Sequence, residues 1–299
     1  MKVVNLSIRK FSQLPCLDIP NYVRNTEGKI LEFEHKGERK VIKKLFNDSG
    51  ELFASKLYTI ETLNNSKEYL PRSFVIPDSL VSVNSNVVGF TVPFTDGINL
   101  EEALHHSHLD LNEQKYYLKK IGETLEQLSA IRKYTPLKSV FINDLQESNV
   151  LVDLNNRSIS IVDLDSSKIG TNSSFPSRYM LSTSLLSKTN SGKYIKNEPH
   201  FSGEGEYTAN DESDLYCYII IVMNYLLGSD VSRMKEDDFY SYLGYLSTIG
   251  VDKNLLDCFD KILRFEKNTN PCHFIDSLTY KQVGLARENV YKLKRTKNV

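Results

Sequence analysis

Residues 140–167, VFINDLQESNVLVDLNNRSISIVDLDSS, constrain this chain more than any other stretch. Two short apolar runs, residues 150–153 and 158–162, flank Leu154-Asn155-Asn156-Arg157, a turn composition, so the pair predicts two adjacent strands. Asp144 stands ahead of the first run, Asn149 at its edge, and Asp163 directly after the second. Three oxygen-bearing side chains therefore converge at the ends of neighbouring strands. Phosphoryl transfer needs a set of this kind: one carboxylate orients an attacking hydroxyl, and hard oxygen ligands hold Mg²⁺ against nucleotide phosphates. Any one of the three alone reads as an ordinary turn residue. The ordered set with both strands is what points to chemistry.

The flanking pattern splits in two. Residues 29–35 (KILEFEH) alternate apolar and polar, Lys36-Gly37-Glu38 supplies a turn, and residues 39–46 (RKVIKKLF) continue as a second strand. Residues 51–63 carry Leu52, Phe53, Leu57, Ile60 and Leu63 at helical spacing. Strand-like runs follow at 74–83, interrupted by Pro77, and at 86–94. Beyond Thr95-Asp96-Gly97 the pattern turns helical. A short helix at 99–106 is capped by Asn99 with Glu101 and Glu102 in its first turn, and a long amphipathic helix at 111–134 ends at Pro136. Residues 166–206 are Ser/Thr/Gly-rich with little periodicity, and helical patterns return at 211–227, 236–247, 254–265 and 281–294.

Composition narrows the function classes. With 37 Lys+Arg against 38 Asp+Glu, the balance gives no reason to expect bulk nucleic-acid binding. The hydrophobic fraction of 40% is enough to bury a core. Cys16, Cys217, Cys258 and Cys272 form no C-x-x-C pair, so no structural zinc site is expected, and their spread suggests reduced thiols. His105 and His108 share a helix face near His106, but no acidic or cysteine partner completes a ligand set there. The first residues, MKVVNLSIRKF, are broken by Ser7, Arg9 and Lys10, and the most apolar run, 215–227, has only core-helix length. These features predict a soluble, cytoplasmic protein with no membrane partner.

D-L-x-x-x-N-V-L-V followed by I-V-D-x-D resembles the catalytic loop and metal-binding motif of the protein kinase superfamily. The resemblance spans roughly residues 20–280. It implies an α+β, bilobal fold, with a small β-rich lobe over residues 1–95 and a larger helical lobe over 96–299. It implies ATP and Mg²⁺ as cofactors, with Asp144 as catalytic base and Asn149 and Asp163 as Mg²⁺ ligands. Val41-Ile42-Lys43-Lys44-Leu45 resembles the third-strand V-A-I-K motif, which assigns Lys43 to the nucleotide phosphates and leaves Lys44 on the opposite, solvated face. Glu61, eighteen residues on, fits the helix glutamate that pairs with that lysine; Glu51 is the alternative. Val92 falls at the gatekeeper position, and Pro93, Phe94 and Thr95 at the hinge whose backbone meets adenine. Glu212-Ser213-Asp214-Leu215-Tyr216 resembles the helix whose aspartate caps it and holds the catalytic-loop backbone, a structural role for Asp214.

The chain also departs from that pattern. The phosphate-covering loop, residues 21–30 (NYVRNTEGKI), keeps one glycine, Gly28, as its nucleotide-binding residue. H-R-D reads Ile142-Asn143-Asp144, Gln146 stands where serine/threonine kinases carry lysine, and D-F-G reads Asp163-Leu164-Asp165. Asp165 is then either a second metal ligand or a solvated carboxylate. Three functions follow, in this order: a protein Ser/Thr kinase with a protein substrate, a catalytically impaired kinase-like binding module, and a small-molecule kinase of related fold.

Overall fold

The computed structural model describes residues 1–17, 28–46, 48–105, 108–137, 139–170, 172–173, 211–231, 234, 236–262 and 268–296. The expected phosphate-covering loop before Gly28, most of the 166–206 stretch and His106 lie outside the described residues.

The architecture is α+β. A five-stranded sheet has the order β1-β4-β5-β3-β2, from β1 (Lys2–Leu6), β2 (Gly28–His35), β3 (Glu38–Leu45), β4 (Ser79–Val83) and β5 (Asn86–Pro93). The β2–β3 hairpin turns at Lys36 and Gly37, both with positive φ, and pairs in register from His35↔Glu38 to Gly28↔Leu45. β1 runs parallel to β4, an edge that the opening sequence did not announce. Period-two alternation gives the sheet two apolar faces. Val4, Leu6, Leu31, Phe33, Ile42 and Val81 pack on one face with Phe11 and Leu14, from and just after α1 (Ile8–Ser12). Leu45, Leu80 and Phe90 pack on the other with Ile60 of α2 (Gly50–Asn65). Because Lys43 alternates with Ile42, it shares the second face with Leu45 and α2.

The remainder is mainly helical around one large core. After β5 the chain enters β6 (Ile98–Asn99) and α3 (Leu100–His105), whose start is capped by Asn99 Oδ1 accepting from the Glu102 amide at 2.8 Å. α4 (Leu111–Tyr134) begins with a capping box between Asp110 and Glu113 and buries Leu111, Leu118, Ile121, Leu125 and Leu128. β6 then pairs with β8 (Val150–Asp153), which pairs with β9 (Ser158–Ile161). β7 (Val140–Phe141), β10 (Lys168–Ile169) and β11 (Asn172–Ser173) make a second small sheet. α5 (Asp211–Leu227) is apolar on nearly every side, with Tyr218, Ile219, Ile220, Ile221 and Val222 fully buried, as a central core helix must be. α6 (Glu236–Thr248), α7 (Lys253–Ile262) and α8 (Tyr280–Thr296) complete the bundle. No helix among the described residues is long and apolar enough to cross a membrane. All four cysteines are free; Cys16 is exposed and the others buried.

The sheet meets the rest of the molecule at a specific seam. Phe74 bridges Ile161 in parallel, the Val75 amide donates to the Ile161 carbonyl at 2.9 Å, and the Ile161 amide donates to Ser73 at 2.7 Å. α2 packs on the 3-10 turn Leu164–Ser166 that follows β9. This seam brings the end of β9 under Lys43.

Candidate functional site

Lys43, on β3, is 5% exposed and pairs with Asp163, 120 residues later in the chain. Its ammonium also donates to Asp165 Oδ1 at 2.9 Å. Asp165 Oδ2 accepts from Lys56 Nζ of α2 at 2.7 Å. Two lysines and two aspartates thus form one compact cluster. Burial acts to raise the Asp165 carboxyl, but Lys43 and Lys56 together outweigh it and hold it well below the usual carboxylate range. Burial raises Asp163 to about 7, with Lys43 pulling against the rise and the Asp165 charge adding to it. Burial also acts to lower Lys43, yet the two carboxylates hold it far above its ordinary value.

Asp163 has left-handed backbone, φ 63°, at the head of its 3-10 turn. That conformation is uncommon for a residue with a side chain but tolerated by Asp, and it turns the chain sharply after β9. Asn143, in the loop leading to β8, is also left-handed at φ 68°.

The second half of the site is held by the backbone. Asp214, in the first turn of α5, accepts from the Ile142 amide through Oδ2 and from the Asn143 amide through Oδ1, both at 3.0 Å. It sits inside the helix, so it holds the loop without capping. The Asn143 side chain donates to the Ser166 carbonyl at 3.1 Å, tying this loop to the turn after Asp163. Asp144 is half-buried; Asn149 Nδ2 donates to its carbonyl at 2.9 Å and to its Oδ2 at 3.2 Å, and Gln146 Nε2 approaches the same carboxylate at 3.3 Å. Asn149 therefore presents its amide nitrogen to Asp144 and keeps its oxygen for another partner. The Asn149 oxygen and the Asp163 carboxylate are hard donors of the type Mg²⁺ takes, and the Val162 amide, next to Asp163, donates to the Asn149 carbonyl at 2.9 Å, so the donor types present fit the cation.

The expectations separate here. Lys43, Asp163, Asp144, Asn149 and Asp214 belong to these two connected clusters. Glu61 does not. It is exposed on α2 and forms no ion pair among the described residues, while Lys56, Thr59, Ile60 and Leu63 form the buried face. Five residues at about 100° each put Glu61 some 140° around the helix from Lys56. Glu51 is exposed as well. Asp165 is neither solvated nor open to a cation in this arrangement, because its side chain is fully buried and both oxygens accept from lysines.

The residues assigned to the hinge lie at and just after the end of β5. Val92 pairs with Val41 and Pro93 with Lys40 at the end of β5. Pro93 has no amide hydrogen, and the Phe94 amide donates to the Arg39 carbonyl at 3.2 Å, with the Arg39 guanidinium 3.6 Å from the Phe94 ring centre. Of the three hinge residues, Thr95 alone keeps an amide without a backbone partner among the described residues. Gly28 is buried against β3, where a Cβ would come within 2.3 Å of the Lys44 carbonyl oxygen. The strand approach accounts for glycine there without a nucleotide. Lys44 is half-buried, its ammonium 5.7 Å from the Phe11 ring on the opposite face from Lys43.

Lys56 escaped the sequence reading, although a signal existed: it lies four residues before Ile60 and seven before Leu63, so it is a lysine on the apolar stripe. A cavity of about 740 Å³ lies elsewhere, lined in part by Asp110, Glu113, Arg157 and Asp276, and contains none of these residues. Comparison with models of known protein families gives no match. A search of curated proteins likewise finds no match.

Proposed function

We propose that this chain is an ATP-dependent phosphotransferase with a bilobal, protein-kinase-like arrangement divided near residue 95, acting on a hydroxyl of a protein substrate. The observation that carries the reading is the meeting of Lys43 and Asp163 across 120 residues, together with an Asp144–Asn149 pair that follows the loop whose Ile142 and Asn143 amides bond to Asp214. Lys43 binds the nucleotide phosphates. Asp163 and the Asn149 oxygen hold Mg²⁺, which neutralises phosphate charge when bound. Asp144, oriented by Asn149 and Gln146, takes the proton of the acceptor hydroxyl. Asp214 fixes the loop so that this carboxylate needs little reorganisation.

Radiolabel transfer from γ-labelled ATP to a generic protein, with Mg²⁺, tests the reading. Transfer is expected for the wild type, and Asp144→Ala should lower the rate by about 10²–10⁴-fold with nucleotide affinity and melting temperature unchanged. Nucleotide binding without any transfer would leave a binding module. Transfer to small polyols but not to protein would move the acceptor to a small molecule.

A further inference from the structure

We propose that Glu126, Cys272 and His273 form a binding site for a divalent transition-metal cation, with Zn²⁺ the best match. Among the described residues, one Sγ, one imidazole nitrogen and one carboxylate oxygen from this group all lie within 4.8 Å of one another. His273 Nε2 is 2.8 Å from Glu126 Oε1, and Cys272 Sγ is 3.9 Å from the same oxygen. The group lies apart from the residues assigned to phosphoryl transfer and does not depend on that assignment.

The scaffold is built for close approach. Cys272 and His273 sit on the 3-10 turn Pro271–His273, which has Pro at its start and Asn270 as its cap. Asn270 Oδ1 accepts from the Cys272 amide at 3.1 Å, and its Nδ2 donates to the Gly122 carbonyl of α4 at 2.9 Å. Gly122 permits the contact: a Cβ there would fall 2.4 Å from Cys272 Cβ and 2.8 Å from Asn270 Oδ1. One turn further along α4, Glu126 reaches the same point.

The ligand chemistry and the exposure agree. A thiolate, an imidazole and a carboxylate are the donor types Zn²⁺ takes, and three protein ligands leave a fourth tetrahedral position for water. Cys272 is 4% exposed, so the soft ligand is shielded. The His273 and Glu126 side chains are 54% and 46% exposed, which opens a path for the cation and its water. Burial, reinforced by Glu126 and Glu123, pushes the Cys272 thiol up to about 12, so the empty site holds a protonated thiol. On binding, the thiol proton leaves to solvent, the Cys272 sulfur and the Glu126 oxygen bind the cation as anions, and His273 binds as neutral imidazole. Two negative ligands then balance the 2+ charge.

The test uses the chelator-treated full chain and Co²⁺ alone as probe. One equivalent should give tetrahedral ligand-field bands and a sulfur-to-cobalt charge-transfer band, both displaced by Zn²⁺. Cys272→Ser should remove the charge-transfer band, and Cys16→Ser should keep it. Glu126→Gln alters an exposed side chain and should fold normally, yet weaken Co²⁺ binding by about tenfold or more. Zn²⁺ should raise the melting temperature of the wild type by more than that of Glu126→Gln at the same concentration. Absence of a charge-transfer band, its persistence in Cys272→Ser, or equal Co²⁺ affinity in Glu126→Gln overturns the site.

Discussion

The two halves of the candidate site are held in opposite ways. On the sheet side, Lys43, Asp163, Asp165 and Lys56 are held by contacts between lysine ammonium groups and carboxyl groups. On the helical side, Asp144, Asn149 and Asp214 are held by backbone amides and neutral amide side chains. The difference teaches where the site can fail. A buried ionic cluster gains from its geometry only while every charge is matched, and losing one member strands the rest. A carboxylate taking backbone amides fixes a loop locally, and its loss leaves only those donors unsatisfied.

The sharpest way to break the comparison is at Asp165. Asp165→Ala leaves Lys43 and Lys56 buried with one carboxylate between them and should cost about 3–5 kcal/mol of stability in urea denaturation. Removing the second charge as well, in Asp165→Leu with Lys56→Met, should recover a large share of that loss. A cost below about 1 kcal/mol for Asp165→Ala would mean that solvent relieves the lysines and that the bridge is not structural.

Asp214→Asn probes the other half. An amide offers one acceptor oxygen in place of two, so either Ile142 or Asn143 loses its partner, at about 1–3 kcal/mol. Phosphoryl transfer should fall with the disturbed loop while nucleotide affinity stays, whereas Lys43→Met should lose nucleotide affinity. Equal loss of affinity in both variants would erase the distinction between the halves.

Much of this fold was legible because local pattern and tertiary demand agree. The helix at 111–134 carries its own capping box and stop, and the β2–β3 hairpin carries its own turn. What stayed illegible depends on pairing over distance. β1 is a strand because β4 offers it a parallel edge. Glu61 is the partner for Lys43 that the kinase resemblance implies, but α2 turns Lys56 inward and Asp165 supplies the negative charge from the far side. Cys272 and Glu126 stand 146 residues apart, so no spacing rule links them.

Asp163 gives a smaller effect whose sign is set by its raised carboxyl. Below the ordinary carboxylate range both folded and unfolded chains carry the proton. As pH rises through about 7 the unfolded chain has already ionised, while the folded carboxyl holds its proton until then, so the wild type loses stability across that window. Asp163→Asn has no such loss. Its melting temperature relative to wild type should therefore be higher at pH 8 than at pH 5, by a few degrees at most, since 32% of the side chain is exposed and solvent screens part of the charge. A difference that stays flat between the two pH values would mean that Lys43 keeps Asp163 ionised throughout.

The smallest expected effect discriminates most about α2. Glu61→Ala removes an exposed carboxylate with no ion pair among the described residues and should change stability by less than about 0.5 kcal/mol and leave phosphotransfer intact. Lys56→Ala, five residues earlier on the buried face, should impair both. Were Glu61→Ala instead to abolish transfer with the fold unchanged, α2 would have to rotate by about 140° during turnover to bring that carboxylate to Lys43. The Lys56–Asp165 bridge would then have to break in every cycle, and the charge-held half of the site would be a resting arrangement and not the working one.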